Sequence, residues 1–470
     1  MERNTTSLSG FKKKKRLFET DVDRLSELPE SILHHILSFL DMKEVVQTSL
    51  LSRNWRYTWC SVSNLSFSHN VWKNIVKYER KINGMGFIFH KKLGFMKFID
   101  GVLLLRNNAS LDKLSLSCNC YCAQDRIDMW INVAVKRQAK EFYLESRSGL
   151  NHVLPTSIFT STITTFHLNA NVQLPNSMCS ATQLRTLELI YARLPYGDSN
   201  GEVVLSCPVL ENLRLISCFY KYCEVFNISA PQLKNLVINN EDACYLGDCK
   251  IKICTPNLTT LELQGFIYKD YYVERLPSLV HAYIEVSVKK ELTQHTSVQH
   301  LIEVLKSLDN VTNLELSNRW IQNIPTCQHM ANQLPSQFCN LKHLNLLWGE
   351  NSCIRVVTSL LKSSPYVETL IIQVPKVVFH PPIEENWEEY LLSECMLNHL
   401  KLIEVRKFHD QKNGLLLVKF LLKAAAVLEK IVIIPSTTLS TDEEQLHKIS
   451  ISVHSLPRSS SSAKIVFVNS

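Results

Sequence analysis

The sequence predicts an α/β fold in which a short N-terminal module of helices precedes an irregular repeat solenoid with a curved parallel sheet. Two observations predict this fold. Apolar residues at helical spacing are concentrated between residues 28 and 59. Further along, leucines at the first, fourth and sixth positions of a short motif recur at intervals of 23 to about 30 residues. Such periods are typical of stacked repeats, in which each unit covers the apolar side of its neighbour.

Length and composition limit the class of protein. At 470 residues and 45% hydrophobic, the chain can bury a large core. The N-terminus is polar and then basic, unlike a secretion signal, and no run of about 18 uncharged apolar residues predicts a membrane span. The 15 cysteines are irregularly spaced, which favours reduced thiols over a disulfide framework. We therefore expect a soluble intracellular protein that does not bind membranes.

A basic run near the N-terminus consists of Lys12, Lys13, Lys14, Lys15 and Arg16. Because such a run cannot enter a core, we expect a disordered basic arm over residues 1–20. The run fits a nuclear-import signal, or else a solvated arm that no receptor binds. No aromatic interleaving or nucleic-acid motif follows, so we expect no nucleic-acid binding. The expected location is the nucleus, the cytoplasm or both.

Three short helices are predicted in the N-terminal module. Apolar residues at a spacing of four, beginning with Leu28 and Ile32, predict the first helix, and Pro29 suits its first turn. Asp41, with Glu44 three residues later, predicts an N-cap and a capping box for the second helix.

The third helix is predicted to begin after Ser52, which places Trp55 and Trp59 on one helical face. Three helices of this size enclose too little volume to cover all of their apolar side chains. Part of this surface therefore needs a partner, and clustered Trp, aliphatic and Arg side chains are typical of protein interfaces. The alternative is that the module docks onto the rest of the same chain.

These residues resemble the F-box of plant proteins almost position by position. The resemblance is carried by Leu28-Pro29, Ile36-Leu37, the run Leu50-Leu51-Ser52-Arg53-Asn54-Trp55-Arg56, and Trp59. It places an F-box at residues 21–62 and implies binding to a Skp-type adaptor and, through it, to a cullin. The residues that it implies for adaptor binding are Leu28, Pro29, Ile32, Ile36, Leu37, Val45 and Trp55.

The leucine motif is kept best in four consecutive copies, which begin at Leu184, Leu210, Leu233 and Leu258. Further copies begin at Val311, Leu341 and Val367, and weaker ones at Leu111 and Ile163. The spacing is that of leucine-rich repeats, in which the final Leu-x-Leu forms a short strand with both leucines directed inward. We assign the repeats to residues 105–380 and a linker or cap of the solenoid to residues 63–104.

The middle residue of each Leu-x-Leu strand is predicted to point outward, so these residues form one row on the concave face. The candidates for binding a substrate protein are Glu188, Arg214, Glu262, Tyr283, Glu315 and Asn345, with Val237 and Ile371 in the same row. A row of mixed polarity can bind a partner. The alternative is a solvated face with scattered charges, so the row does not predict the charge of a substrate.

Residues 381–468 continue the strand rhythm and resemble the FBD region of plant F-box proteins. The resemblance is carried by Glu394-Cys395-Met396, Leu416 to Leu422, Leu428-Glu429-Lys430, Leu456 to Ser460, and Ile465-Val466-Phe467. The match is partial, because Ser393 stands where the family has a proline and residues 409–413 depart from the expected glycine. The whole pattern resembles the plant F-box/FBD/LRR-repeat protein family.

No motif for chemistry is present. The sequence lacks a phosphate-binding glycine loop, a nucleophile elbow and an HExxH zinc motif. Cys118, Cys120 and Cys122 alternate without the C-x2-C spacing and His pair of a zinc finger. No activating base distinguishes any one cysteine as a nucleophile. We therefore expect no enzymatic activity, no metal and no cofactor.

The resemblance implies the substrate-recognition adaptor of a Skp-cullin-F-box E3 ubiquitin ligase. The F-box would hold the Skp-type adaptor, and the repeat surface would present a target protein for ubiquitination. The alternative is a leucine-rich-repeat scaffold that acts outside ligases. In that alternative, Leu28, Pro29 and Trp55 would be buried within the chain.

Overall fold

The computed structural model describes most of both predicted regions. The described residues are 25, 27–74, 84–118, 122–147, 152–241, 249–267, 271–288, 302–317, 338–347, 354–373, 397–408, 412–440 and 442–468. The basic run at residues 12–16 and the Glu394-Cys395-Met396 motif lie outside them, so the expectations attached to these residues stay predictions.

The elements alternate between short strands and connecting turns or helices. The helices are α1 (Glu30–Leu37), α2 (Met42–Gln47), α3 (His69–Asn74), α4 (Gly84–Leu105), α5 (Gln124–Lys136), α6 (Ile354–Lys362), α7 (Lys412–Ala424), α8 (Thr437–Ser440) and α9 (Glu443–His454). The strands are β1 (Asn64–Ser68), β2 (Lys113–Cys118), β3 (Glu141–Ser146), β4 (Thr165–Ala170), β5 (Thr186–Ile190), β6 (Glu202–Leu205), β7 (Asn212–Ile216), β8 (Val225–Ile228), β9 (Asn235–Asn240), β10 (Lys250–Ile253), β11 (Thr260–Ile267), β12 (Tyr271–Val273), β13 (His281–Val288), β14 (Asn313–Ser317), β15 (His343–Leu347), β16 (Thr369–Gln373), β17 (Leu402–Phe408), β18 (Lys430–Pro435) and β19 (Lys464–Phe467).

A 15-stranded parallel sheet, the main sheet, runs through the solenoid. Its order is β1-β2-β3-β4-β5-β7-β9-β11-β13-β14-β15-β16-β17-β18-β19. Each strand therefore pairs with the next repeat along the chain, as expected for a solenoid. The predicted fold class is confirmed: a short helical module precedes leucine-rich repeats that share a large parallel sheet.

Side chains alternate between the core and solvent along the main sheet. On β5, Leu187 and Leu189 are fully buried, whereas Glu188 between them is only partly buried. The rings of Phe142 and Phe166 on neighbouring strands stack with their centroids 6.0 Å apart. Inward residues of successive strands join one hydrophobic core that extends from the N-terminal helices to the C-terminal strands. Fully burying one leucine side chain contributes roughly 1.5–3 kcal/mol.

A second, four-stranded parallel sheet was not predicted. Its order is β12-β10-β8-β6, and each of its strands lies between two main-sheet strands in the chain. Its apolar side chains, among them Phe226, Ile228, Ile251 and Ile253, are buried in the same core. In this part of the solenoid, each repeat therefore contributes a strand to both sheets.

The described part of the FBD-like segment continues the main sheet. Strands β17, β18 and β19 pair in parallel with one another, and β17 pairs with β16. Helix α9 begins after Asp442, whose carboxylate accepts a hydrogen bond from the Gln445 amide at 3.0 Å. The segment therefore adds further repeats to the solenoid.

The helical module joins the main sheet through β1, which lies in the segment assigned as a linker or cap. The predicted capping box of α2 is present: Asp41 Oδ1 accepts from the Lys43 amide at 3.0 Å, and the Asp41 amide donates to Glu44 Oε2 at 3.1 Å. The other oxygen, Asp41 Oδ2, accepts from the Ser68 amide at the end of β1 at 2.7 Å. One carboxylate thus caps α2 and holds the first strand of the sheet.

The third helix of the module was predicted wrongly. Residues 48–50 and 58–61 form 3-10 turns, with turns and no α-helix between them. The backbone bonds run from Arg56 to Arg53, from Thr58 to Trp55 and from Cys60 to Tyr57, three residues apart. Residues three apart share a face in such turns, whereas Trp55 and Trp59 are four apart, so the spacing favoured an α-helix that the chain does not form.

Within the described residues, no helix is long and apolar enough to cross a membrane. In the same residues, His, Cys, Asp and Glu side chains nowhere converge in groups of three or more that could hold a metal ion. Cys118 and Cys122 from the alternating cysteine motif are buried.

Candidate interaction surfaces

The inner side of the helical module is part of the core. On α1, Leu33 and Leu37 lie four residues apart and are buried. Val45 on α2 is fully buried, and Trp55 is also buried. The side chains of Leu37, Val45 and Trp55 therefore pack within the chain, and their contact with an adaptor stays a prediction.

Helix α1 is apolar on its outer side as well. Ile32 and Ile36 are 45% and 40% exposed, and Phe39 is 76% exposed. Ile32 and Ile36 lie four residues apart on one helical face, and Phe39 lies in the turn just after α1 ends at Leu37. We call Ile32, Ile36 and Phe39 the α1 stripe. A helix that buries one apolar side and exposes another is suited to bind between two surfaces.

Other large apolar side chains of the helical module are also exposed. Leu50 and Leu51, which follow α2, are 86% and 66% exposed. Pro29, the residue before α1, is exposed, whereas Leu28 is partly buried against the core. Uncovered apolar clusters of this kind mark interaction surfaces. Of the seven residues predicted to bind an adaptor, Pro29, Ile32 and Ile36 are the most accessible.

Sequence analysis did not select Phe39, Leu50 or Leu51, although signals were present. Phe39 extends the spacing of Ile32 and Ile36 by one helical turn. Leu50-Leu51 is a pair of adjacent leucines, and adjacent residues on a short turn cannot both face the core.

The second candidate surface is the solvent-facing side of the main sheet. Its strand register brings the predicted outward residues into one row, the central row. The row runs through Tyr143, His167, Glu188, Arg214, Val237, Glu262, Tyr283, Glu315, Asn345, Ile371 and Glu404. All six predicted substrate-binding residues are in it. Val237 is in register but is buried.

In the N-terminal part of the central row, side chains contact one another. The Tyr143 and His167 rings stack with their centroids 5.5 Å apart. His167 Nδ1 lies 2.9 Å from Glu188 Oε2, and Arg214 Nε donates to Glu188 Oε1 at 3.3 Å. The Lys113 ammonium lies 4.1 Å from the Tyr143 ring centroid. Glu188 and Arg214 are therefore already paired, which makes this part less available to a partner.

The C-terminal part of the central row contains a depression of about 390 Å³ between β11 and β16. Outward residues of five adjacent strands line it, namely Thr260, Glu262, His281, Tyr283, Asn313, Glu315, His343, Asn345, Thr369 and Ile371. Four of the six predicted substrate-binding residues are among them, so the row and the depression select the same part of the sheet.

Burial governs the protonation of Glu315 beside this depression. Partial burial raises the pKa of Glu315, and the nearby carboxylates of Glu285 and Glu262 raise it further. A hydrogen bond from Asn345 and the charge of Arg406 act in the opposite direction but do not outweigh these effects. The ionised form of Glu315 is thus disfavoured in the folded protein.

Two family models match the chain. The one described as "F-box domain" matches residues 25–67, and the one described as "At1g61320/AtMIF1, LRR domain" matches residues 103–463. The first covers α1, α2 and most of β1. The second covers more than half of the chain, including the main-sheet strands from β2 to β18.

Similar proteins from Arabidopsis thaliana have an F-box and leucine-rich repeats in their names. An F-box/FBD/LRR-repeat protein is 27% identical over 455 residues, which cover 95% of this chain and 99% of the relative. An F-box/LRR-repeat protein is 28% identical over 436 residues, or 89% of each chain. These similarities extend through the helical module, the repeats and the C-terminal strands.

Proposed function

Because the chain belongs to the family of F-box/FBD/LRR-repeat proteins, we propose that it is the substrate-recognition subunit of a Skp-cullin-F-box ubiquitin ligase. In this proposal the F-box binds a Skp-type adaptor and, through it, a cullin. The repeats hold a target protein, and ubiquitin transfer takes place on other subunits.

The observation that carries the proposal is the α1 stripe. The opposite side of α1 is covered by the core, so the fold does not require Ile32, Ile36 and Phe39 to be apolar. Exposed apolar residues on a rigid helix lose little conformational entropy on binding and can anchor an interface. An adaptor groove that receives the α1 stripe would remove this apolar surface from water.

The mechanism is positioning. A target held by the solenoid is kept near the ubiquitin carrier, so its lysines react at a high effective concentration. We propose that the target contacts the depression between β11 and β16, because four outward candidates converge there and the Glu188–Arg214 part of the row is paired internally. The subunit itself is proposed to have no catalytic role.

Capture by a purified Skp-type adaptor tests the proposal. Wild type is compared with Ile32→Arg/Ile36→Arg, which places charge on the α1 stripe without disturbing the core. The matched control is Ile451→Arg on α9, where the wild-type isoleucine is 59% exposed and belongs to the far end of the solenoid. We expect the adaptor to capture wild type and the control together with cullin, and not to capture the double variant.

The result that would overturn the proposal is a folded wild type that the adaptor does not retain. Circular dichroism and the melting temperature establish folding for each variant. If the folded wild type is not retained, the alternative of a scaffold outside ligases applies. Burial of Trp55 is what that alternative requires, but Pro29 is exposed and Leu28 only partly buried.

We also propose that the basic run at residues 12–16 directs the protein to the nucleus. Replacing Lys12, Lys13, Lys14, Lys15 and Arg16 with alanine in a fluorescent fusion tests this directly. Loss of nuclear signal relative to wild type would support import, whereas an unchanged distribution would leave the run as a solvated arm.

A further inference from the structure

Two cysteines from consecutive repeats lie side by side beneath the second sheet. Cys223 comes just before β8, and Cys249 comes just before the neighbouring strand β10. The Cys249 Sγ–H donates to Cys223 Sγ, and the two sulfur atoms are 3.7 Å apart. Both residues are nearly buried, with 5% and 7% of their surfaces exposed.

From this geometry we propose that Cys223 and Cys249 are a site of reversible oxidation, at which a hydroperoxide forms a disulfide between two adjacent repeats. Neither the family assignment nor the proposed ligase function provides this site. It does not depend on that function.

The strand register makes the bond feasible. Strands β8 and β10 are paired in parallel, with Val225 opposite Lys250. The two cysteines are offset by one residue in this register, because Cys223 lies two residues before Val225 and Cys249 one residue before Lys250. A strand spacing of about 4.8 Å combined with a rise of about 3.3 Å for the one-residue offset still keeps the Cα atoms within the roughly 4.4–6.8 Å found for disulfide-bonded cysteines. The sulfur atoms must approach from 3.7 Å to about 2.0 Å, which side-chain rotation can supply.

The chemical environment selects Cys223 as the attacking thiol. Hydrogen bonding from Cys249 lowers the pKa of Cys223, in spite of its burial. Burial instead raises the pKa of Cys179 and Cys218 to about 12, and that of Cys207 to about 11. Thiolate is the nucleophilic form, so Cys223 is more reactive than these neighbouring buried cysteines.

The proposed reaction has two steps. The Cys223 thiolate attacks one oxygen of hydrogen peroxide and becomes a sulfenic acid, while the other oxygen leaves as hydroxide and takes up the thiol proton to form water. The Cys249 thiol then attacks the sulfenic sulfur, an S–S bond forms and the sulfenic oxygen leaves as a second water. The two thiols lose two electrons and two protons, and the peroxide is reduced to two molecules of water.

The bond would add a covalent link between two repeats that otherwise interact through strand pairing, packing and hydrogen bonds. The cysteines are 26 residues apart, so the cross-link closes a loop that contains β8, β9 and the approach to β10. Such a cross-link restricts the unfolded chain and raises stability when native geometry permits it. In a reducing cell the bond would be transient, as expected for a redox-sensing pair.

The test uses the full-length reduced protein under native conditions. It is treated with hydrogen peroxide, the remaining thiols are alkylated, and the digest is analysed by mass spectrometry. We expect a peptide that joins Cys223 to Cys249 and disappears on reduction with dithiothreitol. The oxidised protein should melt a few degrees above the reduced protein.

Cys249→Ser should abolish both the cross-link and the rise in melting temperature. The matched control is Cys254→Ser, which alters a partly exposed cysteine at the other end of β10 and should preserve both. Because the cross-linked peptide is detected in the wild-type protein, the test remains valid even if Cys249→Ser folds poorly.

Two results would overturn the proposal. In the first, Cys223 and Cys249 both carry the alkylating label after treatment, whereas the exposed Cys339 is oxidised. In the second, the cross-link forms but lowers the melting temperature, which would show that the bond requires distortion of the native repeats.

Discussion

The F-box and the solenoid use their apolar side chains differently. On β7 of the solenoid, Leu213 and Leu215 are both fully buried. On α1 of the F-box, Leu37 is buried, but Ile32 and Ile36 remain exposed. The solenoid therefore buries the apolar face of each repeat against the next, whereas the F-box covers only one of its two apolar sides.

This difference shows which region is structurally complete. A repeat is covered by its neighbours along the sheet, so the whole array buries its apolar side chains without a partner. The F-box is too small to enclose its own apolar residues, and the common core covers only its inner side. Its outer side is the part of the molecule for which a partner is expected, and the predictions below test that contrast.

The largest effect is expected in the solenoid core. Leu213→Ala leaves a cavity at a fully buried position and should lower the free energy of unfolding by roughly 2–5 kcal/mol. Ile36→Ala on the α1 stripe is the control and should change it by less than about 0.5 kcal/mol. Urea unfolding followed by circular dichroism gives both values. Equal losses would show that the α1 stripe is also part of the core.

The next effect concerns the backbone of β11. Gly265 has a φ of +92°, and a Cβ there would lie 2.5 Å from the Asn240 carbonyl carbon and 2.5 Å from the Glu241 amide nitrogen. Gly265→Ala should lower stability by about 1–3 kcal/mol, because both the conformation and the close approach favour glycine.

The matched control is Gly101→Ala on α4, where nothing lies within 4 Å of the added Cβ. Alanine is favoured over glycine within helices by roughly 0.5–1 kcal/mol, so this variant should keep or raise the melting temperature. A Gly265→Ala protein that melts no lower than Gly101→Ala would contradict the close strand approach.

A smaller effect is expected at the junction of the two regions. Asp41→Ala removes the N-cap of α2 and the acceptor for the Ser68 amide, and should cost about 0.5–2 kcal/mol. Asp442→Ala removes the N-cap of α9 and serves as the control. Hydrogen exchange at the Ser68 amide should accelerate in the first variant only. Equal protection in both would mean that Asp41 does not hold β1.

The smallest effect is a pair of pH dependences with opposite signs. The pKa of Glu315 is raised, so its stabilising contribution is present below about pH 4.5 and is lost as the pH rises through the folded value. The pKa of Glu211 is lowered by hydrogen bonds from Lys234 and Arg185. Its contribution is present above about pH 4.5 and is lost as the pH falls through the folded value.

At pH 7, Glu315→Gln should therefore raise the melting temperature slightly, and Glu211→Gln should lower it slightly. Both differences should shrink when melting is repeated at a pH well below 4.5, the ordinary pKa of glutamate. Shifts of the same sign at pH 7 would contradict the opposite pKa shifts of Glu315 in the depression and of Glu211, which is paired with Lys234 and Arg185.

Much of the architecture could be predicted because short periods determine it. The alternation of Leu187, Glu188 and Leu189 fixes which side chains face the core, and the repeat spacing fixes which strands are neighbours. The central row followed from these two facts alone. The capping box of α2 was also predictable, because Asp41 and Glu44 interact locally.

Other features depend on packing that no local pattern encodes. The apolar residues of α1 occupy both sides of the helix, so spacing could not show that Leu37 would be buried and Ile36 exposed. The second sheet was missed because strands as short as Val225–Ile228 lack the Leu-x-x-Leu signature. Its strands are specified by pairing with other repeats rather than by their own sequences.

The affinity of the purified protein for a Skp-type adaptor tests most directly whether the exposed apolar side of the F-box, and not the solenoid, binds the adaptor. It is measured by calorimetry for wild type, for Ile36→Arg on the α1 stripe and for Glu315→Arg in the depression. We predict that Ile36→Arg weakens binding at least tenfold, or about 1.4 kcal/mol, and that Glu315→Arg binds as wild type does. Binding that is insensitive to Ile36→Arg, or that depends on Glu315, would contradict the assignment of the exposed F-box side to the adaptor.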